Sequence, residues 1–166
     1  MINFNDIESI KKSGFSGFVT IESLMENSTV IPNEKGIYLV LRTSQEPCEY
    51  LEKGTGGFFK KRDPNIPLSE LLANWVDSTL VVYIGKAGSD KGNATLRSRL
   101  RQYLKFGQGR NIGHWGGRLI WQLKDAPQLL VCWKALPDDN PREFEKQLIK
   151  DFVAQYGKRP FANLAD

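Results

Sequence analysis

Gly36-Ile37-Tyr38-Leu39-Val40-Leu41-Arg42 and Leu80-Val81-Val82-Tyr83-Ile84-Gly85 are the two stretches on which the fold turns. Each is strand-length, rich in β-branched or aromatic residues and bounded by turn formers. Side chains alternate faces along a strand. Ile37, Leu39 and Leu41 therefore share one face, and Gly36, Tyr38, Val40 and Arg42 the other. In the second stretch Leu80, Val82 and Ile84 oppose Val81, Tyr83 and Gly85. Each strand has an aliphatic side for a core and a side showing one tyrosine with a glycine two residues away. Such a glycine leaves open space beside the phenol. The competing reading is two tyrosines as ordinary half-buried strand residues.

Outward from these strands, 5–13 and 21–27 read as short helices around a turn at Gly14-Phe15-Ser16-Gly17. A helix is expected at 69–76, inside a glycine- and proline-containing stretch that separates the two strands. Another spans 94–106, followed by a glycine-rich loop (Gly107, Gly109, Gly113, Gly116, Gly117) and a short helix through Leu123. A third strand is expected at 128–135 and a last helix at 141–156. Three strands among several helices make a small α/β domain.

The chain has 166 residues, 40% hydrophobic and 25% charged, which are ordinary values for one globular domain. The longest apolar runs are strand-length, so no membrane span is expected, and the N-terminus shows no signal peptide. Cys48 and Cys132 are distant in sequence and are expected as free thiols in the cytoplasm. The net charge of +4 is unevenly placed. Between Lys86 and Arg118 eight Lys or Arg face one acid, Asp90, so this segment carries +7 and the rest −3. A local basic stretch suits a polyanionic partner or, equally, a solvated helix face.

In the 94–106 helix, Leu96, Leu100, Tyr103 and Leu104 form the apolar stripe at ~100° per residue. Arg97, Arg101 and Lys105 step by four along another face, a ladder able to meet phosphates. Arg99 falls at the edge of the stripe, and a semi-buried guanidinium requires a carboxylate or phosphate. In the last helix Asn140 serves as cap, Pro141 suits the first position, and Glu143 is placed for a capping box. Phe144, Leu148, Phe152 and Tyr156 define its apolar face, with Glu145 near the middle. A carboxylate there is neutral, metal-bound or paired, for example with an arginine. His114 is the one histidine, which excludes a zinc site with the two separated cysteines. No Gly-Lys-Ser/Thr phosphate loop is present.

Gly36-Ile37-Tyr38 and Tyr83-Ile84-Gly85 spell the two signatures of the GIY-YIG nuclease family. Leu96-Arg97-Ser98-Arg99-Leu100 resembles that family's arginine helix. Glu145-Lys146-Gln147-Leu148-Ile149-Lys150 is similar to its glutamate helix, and Pro160-Phe161-Ala162-Asn163 to its closing Pro-x-x-Asn. The resemblance covers about 35–164, leaving 1–34 as an N-terminal helical extension of a single domain, 1–166. It departs in the 43–79 insertion, where the family has a short hairpin. That insertion either adds substrate contacts through Phe58, Phe59, Lys60, Lys61 and Arg62 or covers the sheet.

The resemblance implies an α+β fold with a mainly antiparallel three-stranded sheet flanked by helices. It implies DNA endonuclease chemistry with one Mg²⁺ or Mn²⁺ bound by Glu145, water activation by Tyr38 or Tyr83, and phosphate stabilisation by Arg99. Lys86, Tyr103, His114 and Asn163 would support the site, and Arg97, Arg101, Lys105, Arg110, His114 and Arg118 would touch phosphates. The alternative on the same fold is a non-catalytic nucleic-acid-binding module.

Overall fold

β1 (Ser16–Thr20), β2 (Gly36–Leu41), β3 (Val81–Ala87) and β4 (Leu130–Ala135) form one antiparallel sheet in the order β1-β4-β2-β3. The structure is a computed structural model and describes residues 1–164. All six residues of β2 are buried, because helices cover both faces of the sheet. One face carries Ile37, Leu39, Leu41, Ile84 and Cys132, which pack with Ile10 of α1 (Ile7–Lys12) and Phe152 of α5 (Pro141–Tyr156). The other carries Tyr38, Val40, Tyr83, Val131 and Trp133, beneath α2 (Ile21–Glu26) and α4 (Leu96–Gly107). A 3-10 turn at Arg118–Gln122 completes that layer. The class is mixed α+β, as expected.

The sheet has four strands rather than three. β1 includes Ser16 and Gly17, which read as a turn. Gly17 at φ +96° and Phe18 at φ +58° interrupt the pairing with β4, and the register shifts between Gly17 and Val19. Two left-handed residues in a five-residue strand erase the alternation by which a strand is recognised in sequence. A second irregularity lies in β3. Val40 pairs Tyr83 but Leu41 pairs Val81, so Val82 is the extra residue of a bulge. Val82 therefore joins the face of Tyr83, and Val81 joins Ile84, the reverse of simple alternation. Nor does Gly85 leave open space: it pairs with Tyr38 across the strands, and a Cβ there would collide with the Tyr38 ring.

α4 begins with a reciprocal capping box between Thr95 and Ser98. At α5 the Asn140 carboxamide accepts from Arg142 N–H at 3.1 Å while Glu143 stays exposed, so Asn140 caps without the expected Glu143 box. Phe144, expected on the apolar face, is 37% exposed and lies under the Lys134 ammonium, 5.2 Å from its ring centroid. The 43–79 insertion contains α3 (Leu68–Asn74) and folds against the α4 layer. Gln122, 1% exposed, accepts from Ile66 N–H and donates to the Leu51 and Ile66 carbonyls, which ties the insertion to the 3-10 turn. Cys48 and Cys132 are free. No helix among the described residues is long and apolar enough to cross a membrane.

Candidate functional site

Three tyrosines from two strands and one helix meet on one face of the sheet, beneath α4. Tyr38 (β2), Tyr83 (β3) and Tyr103 (α4) have ring centroids 5.8–6.4 Å apart. Tyr38 and Tyr103 are 1% exposed, whereas Tyr83, at 8%, is the phenol that lines an open cleft. Tyr103 donates to the Gly117 carbonyl at 2.7 Å and is fixed. Burial raises the Tyr38 hydroxyl well above its ordinary range, and its hydrogen bond to Tyr83 adds to this. Burial pushes Tyr83 up to about 12, against the opposing effects of the Tyr38 bond and the Arg99 charge.

The glycine-rich loop closes over these rings. Gly117 adopts φ +75°, and a Cβ there would sit 2.8 Å from the Tyr83 ring and 2.9 Å from the Tyr103 hydroxyl. The close approach this glycine allows is to the rings of Tyr83 and Tyr103. His114, expected to touch phosphates, is only 1% exposed. Its ring packs tilted against Tyr103 with centroids 4.6 Å apart, its Nδ1–H donates to the Gly116 carbonyl at 3.1 Å, and Nε2 has no partner. Burial, then the Arg99 charge, lower its pKa to about 3, so the imidazole is neutral.

Arg99 is half-buried on the first turns of α4 and donates to Gln102 Oε1 at 3.2 Å. Its charge reaches Tyr38, Tyr83 and His114, favouring phenolate at both tyrosines. Glu145 projects half-buried from α5 into the cleft, and its charge opposes ionisation of Tyr83. Lys86 lines the same cleft. Asn163 does too, but its carboxamide is engaged with the edge strand: Oδ1 accepts from Ile84 N–H and Nδ2 donates to the Ile84 carbonyl, both at 2.9 Å. Tyr83, Glu145, Lys86, Asn163 and Arg118 thus share one cleft of about 940 Å³, with Tyr38, Tyr103 and His114 packed behind Tyr83.

Two of the three cations spaced along α4 have partners within the chain. Arg97 donates to the Ile31 and Thr29 carbonyls at 2.9 and 3.1 Å, and Arg101 to Ser28 Oγ at 2.7 Å. Both tie α4 to the loop after α2; Arg97 is half-buried, whereas Arg101, Lys105 and Arg110 stay exposed. The cleft is walled by Lys86, Arg118, Arg142, Lys146, Lys150 and Arg159, with Glu145 the one carboxylate among the described residues that line it. Arg142, Lys146 and Lys150 step by four along α5. Sequence reading passed over that ladder, although the spacing was there to find. Among the described residues no group of three or more His, Cys, Asp or Glu side chains forms a metal cage. No family model, curated protein or solved structure matches the chain.

Proposed function

We propose that this chain is a GIY-YIG-type, metal-dependent endonuclease that hydrolyses phosphodiester bonds in DNA. The observation that carries this reading is a single cleft holding the Tyr83 phenol and the Glu145 carboxylate, reached by the Arg99 charge and walled by six cations. A cationic wall draws in a polyanion. Tyr83 is the better base of the two signature tyrosines, because it faces the cleft while Tyr38 hydrogen-bonds to it from behind. With its pKa near 12, Tyr83 takes a proton from water only where positive charge, beginning with that of Arg99, favours the phenolate. Arg99 neutralises charge on the pentavalent phosphate.

A Mg²⁺ or Mn²⁺ ion fits the residues present, since such ions are held by one or two carboxylates together with substrate phosphates. Glu145 would hold it, and the ion would supply positive charge to the departing oxygen. The high Tyr83 pKa is the observation that favours the second reading, a nucleic-acid-binding module without catalysis.

Nicking of supercoiled plasmid DNA across a Mg²⁺ titration decides between them. The wild type is expected to nick, and Glu145→Gln to lose activity by on the order of 10³-fold, several kcal/mol of barrier, with its fold intact. Glu143→Gln, exposed on the same helix, retains activity. A wild type that binds DNA but never nicks it, with either metal, establishes the binding module instead.

A further inference from the structure

Trp115 stands at the cleft wall with two guanidinium groups over its indole. Arg62 Cζ lies 4.5 Å and Arg118 Cζ 4.6 Å from the ring centroid. Arg118 follows the glycine-rich loop, whereas Arg62 belongs to the 43–79 insertion. Neither has a carboxylate: the ion pairs among the described residues are Lys11–Glu8, Arg42–Asp125 and Lys124–Glu49. Burial and the nearby Arg62 charge both lower the Arg118 pKa. Two like charges gathered at one ring without a counter-charge favour binding of an anion there.

The backbone that delivers Arg62 is strained. Lys60 and Lys61 adopt φ +54° and +62°, a left-handed region costing roughly 1–2 kcal/mol per residue. Packing holds the segment there. The Phe59 ring lies against Gly113, Gly57 N–H donates to the Phe106 carbonyl at 2.9 Å, and Arg62 N–H donates to Phe59 O at 3.1 Å. Such strain is maintained where a fixed geometry serves binding.

We propose that Arg62, Trp115 and Arg118 form a second phosphate site, which takes a backbone phosphate of the same DNA strand flanking the one at Tyr83. This deepens the endonuclease reading and rests on it. Trp115 and Arg118 line the cleft together with Tyr83 and Glu145, so one strand can occupy both places. The guanidinium forks grip phosphate oxygens while the indole keeps the forks in place. A contact made to the backbone positions the strand and reads no sequence.

The test is fluorescence anisotropy of a labelled DNA duplex in EDTA, where nothing is cut, across a salt titration. Arg62→Ala is expected to lower the slope of log K against log salt by about 0.9, and affinity at 0.1 M salt by about 8-fold. Arg62→Lys retains the slope, because the charge remains. Lys124→Ala, whose ammonium sits on Glu49 outside the cleft, controls for charge loss alone and leaves both quantities unchanged. If the wild type binds and Arg62→Ala matches it in affinity and slope, the second phosphate site is wrong and the endonuclease reading stands. If the wild type does not bind DNA at all, both are wrong.

Discussion

His114 is held with Nδ1–H on the Gly116 carbonyl and with Nε2 buried beside Arg99's field, so a second proton would have neither water nor an acceptor. Its folded-state pKa of about 3 lies below the unfolded value near 6.5. The unfolded chain therefore binds a proton first as pH falls. The contribution of His114 to stability is fully present above pH ~6.5 and declines by about 1.4 kcal/mol per pH unit from there toward pH ~3. Urea unfolding at pH 7 and pH 5 should differ by roughly 2 kcal/mol, a window in which most carboxylates stay ionised. His114→Gln should remove most of that difference. An equally steep pH dependence in the glutamine variant would assign the effect to other groups. At this same scale the sequence was informative about Arg99 and Glu145, whose helix angles placed the first at the edge of an apolar stripe and the second near the middle of one. It was silent on His114, because its burial depends on the glycine-rich loop closing over Tyr103.

β3 forms one edge of the sheet, and an edge strand presents unpaired backbone groups. The chain's closing segment covers it: Ala162 N–H donates to the Val82 carbonyl at 2.9 Å, and the Asn163 carboxamide satisfies both polar groups of Ile84. Asn163 thus acts as a surrogate strand partner beside Tyr83, a more specific task than general support of the site. Asn163→Ala should cost about 1–3 kcal/mol in urea unfolding and expose the Ile84 amide to faster hydrogen exchange. Unchanged protection at Ile84 would remove this role. β2, α4 and α5 were legible in the sequence, since each sustains its period over enough residues and opens on a recognisable boundary. β1 and the Val82 bulge were not, because one extra or left-handed residue reverses the alternation on which strand assignment depends. Arg97 and Arg101 show the same limit from another side. Their helical spacing is real, yet the partners that occupy them, Thr29, Ile31 and Ser28, lie in a loop far away in sequence.

The molecule's charge is organised by the fold and not by sequence density. The +7 segment drew attention to α4, but the cleft collects cations from β3, the segment after the glycine-rich loop, α5 and the chain beyond it. Among the described residues, Lys86, Arg118, Arg142, Lys146, Lys150 and Arg159 surround the Glu145 carboxylate, a concentration of positive charge on a chain whose net charge is only +4. Gathered around one cleft, such charges act together on an approaching polyanion. Arg142, Lys146 and Lys150 are exposed along one line of α5, so replacing them should not disturb the core. Changing all three to glutamine should reduce the salt slope of DNA binding by as much as about 2.7, at roughly 0.9 per phosphate contact. The comparison is Arg101→Gln with Lys105→Gln, on the α4 face outside the cleft. That pair removes charge from the dense segment but should change the slope little, while the lost Arg101 bond to Ser28 lowers thermal stability. Matched salt titrations and melting curves on the two variants separate the faces. A larger slope change from the α4 pair than from the α5 triple would mean that DNA lies along α4, and that the cleft is not where the strand is held.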